Sequence, residues 1–335
     1  MKVDIVGGSL AGLSTAISIK KHDKDIDVNV HEKYKEIGYN HEGRRCGEAH
    51  SIADMWKKWM PKGKSIFNEI TLGVAYIGKK VHRFERKPKT AFILDRQEFI
   101  AQLGREAEKL GANIITNNKI KTINDLKCDY IVDASGCPSS IKRELKLDKG
   151  IKGVTYQQTL ENSNCFEKNI IKVYYSGIGG YYWIFPRDQT KKEINLGLGY
   201  VFNPNINLKK DLEDFKEKHQ IKGEVNYVVG GLIPIGIQRP ILHKNIIFVG
   251  DACVGTFPFS GQGIYRALIS GDIAGKCLAK NQVKRYKWII NHEFIKWDVI
   301  GKTFTYANRF FSKINPDIVL RNLDIFIKYG SGFIH

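Results

Sequence analysis

The sequence has no run of about 18 consecutive apolar residues, so it predicts no transmembrane helix. Its six cysteines are spread singly, with no Cys-x-x-Cys pair, and this spacing excludes a zinc ribbon and a small disulfide scaffold. The N-terminal residues 1–13 read as a strand followed by a glycine turn rather than as a secretory signal. We therefore expect a cytoplasmic, reducing location, and we predict no metal site.

The sequence also lacks a continuous basic block and any nucleic-acid-binding signature. Lys and Arg nevertheless number 53 against 35 Asp and Glu, which gives a formal net charge of +18. Such a surplus favours contact with something acidic. Two interpretations stay open: peripheral contact with an anionic membrane or lipid, and lysines that only solvate the surface. Nucleic acid is not a predicted partner.

A length of 335 residues suggests about two domains. The N-terminal order of a strand over 2–6, a glycine turn, a helix over 13–21 and a strand over 27–31 is a βαβ unit. We predict an α/β fold in which a sheet domain is inserted into a Rossmann-like nucleotide-binding domain and a helical segment follows. The predicted domains are 1–63, 92–150 and 240–280 for nucleotide binding, 64–91 and 151–239 for the antiparallel sheet, and 281–335 for the helical segment.

The turn after the first strand carries Gly7, Ser9 and Gly12 at the spacing of the Gly-x-Gly-x-x-Gly dinucleotide fingerprint, with Ser in place of the middle Gly. Small residues there let the backbone approach a pyrophosphate at the helix N-terminus. Glu32 ends the second strand twenty residues after Gly12, where a carboxylate accepts ribose hydroxyls. Glu suits an unphosphorylated ribose, as in FAD or NAD. The alternative is a purely structural βα turn.

A second motif favours FAD over NAD. Asp251 directly follows a buried strand and a Gly, and from this position a carboxylate can bind the ribityl hydroxyls that only a flavin has. Gly263 and Ile264 then open a helix whose positive end favours a reduced, anionic flavin. Arg96, at the start of a long helix, is placed to reach the pyrophosphate or ribityl region, and a simple surface position is the alternative. An ordinary strand–loop–helix remains the alternative for the Asp251 segment.

In this order, the motifs resemble the p-hydroxybenzoate-hydroxylase-like FAD superfamily and, within it, the geranylgeranyl reductase family. Three stretches carry the narrower resemblance. They are Arg-Arg-Cys-Gly-Glu at 44–48, Gly-Tyr-Tyr-Trp-Ile-Phe-Pro at 180–186 followed by Asn-Leu-Gly-Leu-Gly at 195–199, and the Gly-Asp-Ala loop with Pro258 that runs to Ile264.

The resemblance implies an FAD-dependent reductase that saturates isolated C=C bonds in isoprenoid lipid chains, fed by an external reductant such as ferredoxin, a deazaflavin or NAD(P)H. It implies a flavin-facing role for Cys46, as a proton donor or in a disulfide with Cys253; an inert buried thiol is the alternative. His50 is interpreted as a surface residue, with a proton relay as the alternative. The implied cofactor-binding set is Gly7, Ser9, Ala11, Gly12, Glu32, Arg44, Cys46, Gly47, Arg96, Ile120, Asp251, Gly263 and Ile264.

Tyr181, Trp183 and Phe185 alternate along one predicted strand and therefore share a face. They are the predicted substrate-binding residues of an apolar cavity, and ordinary core packing is the alternative. Two rival functions stay open: a flavin-dependent monooxygenase of the same superfamily and a non-catalytic FAD redox sensor. Aromatic and basic residues interleave over 285–335, which predicts either a membrane-facing segment or a packed helical cap.

Overall fold

The computed structural model describes residues 1–39, 47–51, 59–177, 179–201 and 206–330. The chain divides into two compact units. The first unit comprises residues 1–44, 96–151 and 233–302, and the second comprises residues 45–95, 152–232 and 303–335.

The strands and helices alternate in the pattern of an α/β protein, so the predicted fold class is confirmed. In chain order, the strands are β1 (Lys2–Val6), β2 (Asp27–His31), β3 (Ala49–Ser51), β4 (Ile66–Glu69), β5 (Leu72–Ile77), β6 (Lys80–Glu85), β7 (Ala91–Leu94), β8 (Asn113–Ile115), β9 (Tyr130–Asp133), β10 (Lys152–Glu161), β11 (Ile170–Ser176), β12 (Gly180–Pro186), β13 (Ile194–Val201), β14 (Glu224–Pro234), β15 (Leu242–His243) and β16 (Ile246–Phe248). The helices are α1 (Leu10–His22), α2 (Arg96–Lys109), α3 (Ser140–Glu144), α4 (Leu208–Lys218), α5 (Ile264–Ala279), α6 (Val283–Ile314) and α7 (Pro316–Gly330).

The first unit is built on a six-stranded sheet in the order β15-β16-β9-β1-β2-β8. The pairs from β16 to β8 are parallel, and β15 adds an antiparallel edge. Strands of a parallel sheet are covered on both faces, which accounts for the nearly continuous apolar residues in β1 and β16.

Helices α1 and α5 pack closely in the first unit because small residues line their contact. A Cβ added at Gly271 would lie 2.1 Å from Ser14 Oγ, and one at Gly275 would lie 2.5 Å from Ser18 Cβ. The Ser18 hydroxyl donates to the Asp272 carbonyl at 2.9 Å. The two helices are 254 residues apart at this hydrogen bond, so their contact brings distant parts of the chain together.

The second unit contains a seven-stranded sheet in the order β14-β10-β13-β12-β11-β5-β6 and a three-stranded sheet in the order β3-β7-β4. The larger sheet is mixed, since β5 and β11 pair in parallel. The prediction of an antiparallel sheet overlooked this pair because its two strands lie on either side of the α2–β9 segment in the sequence. Helix α4 packs Leu212 and Phe215 onto one face of the large sheet.

Helices α6 and α7 form the C-terminal part of the chain, in agreement with the predicted helical segment. In the second unit, Asp324 of α7 accepts from His82 of β6 at 2.8 Å and also pairs with Lys80. Among the described residues, no helix is both long and apolar enough to cross a membrane.

Candidate functional site

The glycine turn of the first unit is closely packed at both of its ends. Gly7 has φ +113°, and a Cβ there would lie 2.4 Å from the Ala134 carbonyl oxygen. A Cβ at Gly12 would lie 2.0 Å from the Gly7 carbonyl oxygen. Any larger residue at either position would therefore displace backbone, which explains the two glycines of the fingerprint.

Ser9 occupies the position where the common fingerprint has glycine. Its φ of −114° and ψ of −165° are extended backbone that any residue adopts, so the replacement strains nothing. Ser9 is also the N-cap of α1, and within the described part of the chain its side chain makes no capping hydrogen bond. The amide groups of the first helical turn therefore keep their capacity to bind an anion.

Glu32 lies beside this turn, as the sequence predicted. It is buried, and its Oε2 accepts from the Gly8 amide at 2.8 Å while Oε1 accepts from the Tyr34 amide at 3.0 Å. Each carboxylate oxygen has two lone pairs, so acceptor capacity remains for ribose hydroxyls.

The second motif meets the first within this unit. A Cβ added at Gly250 would lie 2.7 Å from Ala11 Cβ, so the loop that precedes Asp251 rests on the start of α1. Asp251 lies in a short 3-10 turn, and its Oδ1 is 3.8 Å from the position of a Cβ on Gly263, the N-cap of α5. The two predicted anchors are thus neighbours despite a separation of 240 residues.

The buried Arg266 of α5 fixes the loop that follows Asp251. Its guanidinium donates to the Val254 and Gly255 carbonyls at 2.6 to 3.2 Å and pairs with Asp298 of α6 at 2.8 Å. Sequence reasoning did not single out Arg266 because a charged residue inside a helical pattern gives no signal of its role.

Only some of the remaining predicted cofactor residues lie in the first unit. Arg96 begins α2, and Ile120 lies in the loop after β8; both are half-buried residues of the first unit. Arg44 and Cys46 lie outside the described residues, so the proposed disulfide with Cys253 is not described either. Gly47 lies in the second unit.

These first-unit features fit an FAD group. The start of α1 supplies amide donors for a pyrophosphate, and Glu32 and Asp251 supply carboxylates for hydroxyl groups.

Tyr181, Trp183 and Phe185 do share one face of β12, as predicted. Successive ring centroids along the strand are 5.8 and 6.3 Å apart, and Tyr175 of β11 adds a fourth ring 5.8 Å from Tyr181. We call Tyr175, Tyr181, Trp183 and Phe185 the aromatic row. Tyr182, between Tyr181 and Trp183, points to the other face and stacks on Phe215 of α4 at 4.2 Å, so core packing accounts for that face. On the face of the aromatic row, Trp183 is also buried, and Phe185 packs against a small core cluster of Ile70, Ala91 and Ile93.

Two glycines of β13 make space for the indole of the aromatic row. A Cβ at Gly197 would lie 2.3 Å from the Trp183 ring, and one at Gly199 would lie 3.7 Å from it. The Trp183 Nε1 donates to Gln157 Oε1 at 3.2 Å. The Gly-Leu-Gly of the sequence pattern is therefore explained by the ring that lies across it.

The two tyrosines of the aromatic row keep their hydroxyl protons at neutral pH, so the row carries no charge. Burial raises the pKa of Tyr181 to about 12, and burial together with Tyr181 raises the pKa of Tyr175. A surface of this kind binds apolar chains and offers ring faces to a developing positive charge.

A buried polar network adjoins the aromatic row, and sequence reasoning missed it. The Arg187 Nε donates to Glu48 Oε2 at 2.7 Å, and its Nη1 donates to Glu193. Burial raises the pKa of Glu48, although Arg187 and Asn195 oppose this. The sequence did offer a sign of this network, because each charged residue directly follows a motif: Glu48 follows the Cys-Gly pair, and Arg187 follows the Tyr-x-Trp-x-Phe-Pro signature.

Two side chains have surroundings that bear on their predicted chemistry. Cys253 is buried, the Tyr286 hydroxyl donates to its sulfur at 3.8 Å, and burial raises the pKa of the thiol to about 11. His50 is only 4% exposed, so its interpretation as a surface residue is wrong. It lies in β3, which pairs with β7, and burial lowers its pKa to about 4.

We expect His50 to make folding stability fall in mild acid. The unfolded chain takes up a proton on this residue near pH 6.5, whereas the folded chain does so only near pH 4. The free energy of unfolding therefore keeps its full value, as far as His50 is concerned, above pH 6.5. It declines toward pH 4, by about 3 kcal/mol at most. Urea unfolding of the unaltered chain and of His50→Gln between pH 7 and pH 4.5 measures this. The difference isolates His50, because Glu48 and Asp133 contribute equally to both.

The exposed His292→Gln serves as the control and is expected to leave the pH dependence unchanged. Parallel stability curves for the unaltered chain and His50→Gln would contradict the prediction.

Comparisons with known proteins match both units. The family model described as the geranylgeranyl reductase catalytic domain matches residues 152–232. The chain is 26% identical to digeranylgeranylglycerophospholipid reductase of Methanothrix thermoacetophila, with 83% of this chain and 78% of that protein covered. It is 28% identical to the enzyme of the same name from Methanocaldococcus jannaschii, with 84% and 76% covered.

Solved structures share the fold. A geranylgeranyl bacteriochlorophyll reductase-like protein from Thermoplasma acidophilum superposes with a TM-score of 0.83 at 23% identity, covering 97% of this chain and 90% of that one. CmlS, a flavin-dependent halogenase, gives a TM-score of 0.68 at 16% identity, covering 93% and 65%.

The segment that matches the catalytic-domain model contains β10 to β13 and hence all four rings of the aromatic row. The predicted resemblance to the geranylgeranyl reductase family is therefore confirmed by the match in residues 152–232 and by the shared fold, and the chain is an oxidoreductase.

Proposed function

We propose that this chain is an FAD-dependent reductase that saturates isolated C=C bonds in geranylgeranyl-type chains of a glycerophospholipid. The observation that carries the proposal is the aromatic row, which lies within the matched segment 152–232. The names of the relatives support the lipid substrate. When bound and reduced, FAD would supply a hydride from its N5 atom.

The aromatic row accounts for what an unactivated alkene needs from a protein. Such an alkene has no carbonyl to hold negative charge, so a proton adds early and the tertiary carbon becomes positive before the hydride arrives. The faces of Trp183 and Phe185 stabilise that charge without presenting a nucleophile. Each saturated bond takes up one hydride and one proton, so two electrons per bond enter from an external reductant, for which we propose ferredoxin, a deazaflavin or NAD(P)H.

In the first unit, the glycine turn and the start of α1 would hold the FAD pyrophosphate, Glu32 the ribose and Asp251 the ribityl chain. Arg96, Ile120, Gly263 and Ile264 of the same unit belong to this proposed site. For Arg44, Cys46 and Gly47 the cofactor-binding role stays a prediction from the resemblance. For Cys46 we keep the proposed role of proton donor.

The test is a single-turnover reaction of the dithionite-reduced holoenzyme with a geranylgeranylated glycerophospholipid. We expect mass spectrometry to show a gain of two hydrogen atoms per reduced double bond. A product that gains an oxygen atom, with NAD(P)H consumed, would instead favour the monooxygenase. Bound FAD with no change in the lipid under any of the three reductants would contradict the reductase and leave the redox sensor.

We also propose peripheral contact between residues 283–302 of α6 and an anionic membrane, where such a lipid resides. Trp288, Ile295 and Val299 are 62%, 40% and 58% exposed, and their spacing of seven and four residues places them on one helical face. Exposed lysines flank this face, at positions 284, 287 and 296. Each lysine near an anionic surface adds about 1 kcal/mol to binding, and the exposed apolar side chains add to that.

Replacing this apolar face should release the chain from vesicles. In Trp288→Ser/Val299→Ser, we expect sedimentation with phosphatidylglycerol vesicles to fall about fivefold or more, because the inserted apolar area is lost. Val81→Ser removes an equally exposed apolar side chain from β6 and serves as the control. Equal sedimentation of the two variants, or equal binding to phosphatidylcholine vesicles, would contradict the proposal.

A further inference from the structure

The Glu48 carboxylate joins two residues that flank Phe185, the terminal ring of the aromatic row. One is Arg187, two residues further along the chain, whose Nε donates to Glu48 Oε2 at 2.7 Å. The other is Asn195, the cross-strand partner of Phe185, whose Nδ2 donates to the same oxygen at 2.8 Å. One buried carboxylate oxygen therefore holds both sides of the Phe185 position.

The backbone next to Glu48 lies close to Phe185 itself. A Cβ added at Gly47 would lie 3.2 Å from the Phe185 ring and 3.9 Å from Trp183 Nε1. The Glu48 carbonyl accepts from the Leu94 amide at 2.9 Å. Glu48 also has φ +60°, a backbone conformation that a residue other than glycine keeps only when its surroundings hold it. The Glu48 side chain thus sets how closely Gly47 approaches the ring.

Glu193 binds the same guanidinium but lies on the other side of it. Its Oε2 accepts from Arg187 Nη1, and its Oε1 accepts from Asn226 Nδ2 at 2.8 Å. Both carboxylates are 1% exposed. The two glutamates therefore share burial and an ion-pair partner, whereas the contacts to Asn195 and to the Gly47 segment belong to Glu48.

We propose that Glu48 is a positioning residue that fixes Phe185 and Gly47 against each other, and thereby sets where an isoprenoid chain lies along the aromatic row. This inference rests on the proposed function. Loss of the Glu48 charge loosens the terminal ring but leaves the sheet and its other ion pair in place, so its effect falls on binding and alignment of the chain.

The test compares Glu48→Gln with Glu193→Gln in the holoenzyme. Binding of a geranylgeranylated glycerophospholipid is measured by quenching of tryptophan fluorescence without reductant, and kcat and KM are measured after dithionite reduction. For Glu48→Gln we expect the Kd to rise about tenfold and the set of double bonds left unreduced to change, because small displacements at a binding wall disturb alignment. For Glu193→Gln we expect the Kd to stay within about twofold of the unaltered enzyme, because its contacts lie away from the ring.

A third variant keeps the test decisive should Glu48→Gln fold poorly. Asn195→Ser removes one of the two bonds to Glu48 and leaves the Arg187 pair intact, and we expect it to change the product pattern in the same direction. If Glu48→Gln and Glu193→Gln change the Kd and the product pattern equally, and only in proportion to their loss of thermal stability, the inference is overturned. The proposed function would still stand. If the unaltered enzyme neither binds nor reduces the lipid, the proposed function fails, and the inference fails with it.

Discussion

Gly12→Ala is expected to abolish retention of FAD by the purified protein. The new Cβ would lie 2.0 Å from the Gly7 carbonyl oxygen, a distance that neither backbone segment can accept. Relief requires the turn to move away from the start of α1, which separates the amide donors from the pyrophosphate they are proposed to bind. We expect affinity to fall at least about a hundredfold, equivalent to about 2.7 kcal/mol. Flavin absorbance per mole of protein and titration of the apoprotein with FAD measure the effect.

Ser9→Gly is the matched control in the same turn. It restores the common fingerprint, yet the extended backbone at Ser9 gains nothing from glycine, so FAD content should stay as in the unaltered protein. Circular dichroism of Gly12→Ala shows whether the fold persists. A folded Gly12→Ala protein with its full complement of flavin would contradict the proposed cofactor site.

Gly197→Ala is expected to remove most of the reductase activity while FAD remains bound. Its Cβ would lie 2.3 Å from the Trp183 ring and 2.8 Å from the Tyr156 carbonyl oxygen, so the indole must leave its place on β13. Displacing the central ring disrupts the wall along which the isoprenoid chain is proposed to lie. Misplacement by about 1 Å at a reacting site can cost about a hundredfold in rate, and we expect a loss of that order in kcat/KM.

Gly231→Ala supplies the control for this variant. Gly231 lies in β14 of the same sheet, and among the described residues no heavy atom comes within 4 Å of an added Cβ. Activity close to that of the unaltered enzyme is expected. Should Gly197→Ala reduce the lipid as fast as Gly231→Ala does, the aromatic row would have no part in the reaction.

The local patterns of the sequence were enough to predict the first elements of the first unit. A strand, a small-residue turn and an apolar helix are dictated by neighbouring residues, so β1, α1 and β2 follow from periodicity alone. The same is true of the alternation that places Tyr181, Trp183 and Phe185 on one face of β12.

What the sequence did not reveal depends on partners distant in the chain. The parallel pairing of β5 with β11 joins strands about 100 residues apart, and no local pattern specifies such a register. Nothing near His50 in the sequence shows that pairing of β3 with β7 buries it. The bond from Glu48 to Arg187 spans 139 positions. Only the folded sheet reveals that these charges meet.

The contact between α1 and α5 has a consequence for biosynthesis. The ribosome makes the glycine turn long before it makes α5, which packs against α1 through Gly271 and Gly275. A nascent chain halted before residue 264 should therefore acquire no coenzyme, however long it waits. Loading of the proposed FAD would then report that translation has passed α5.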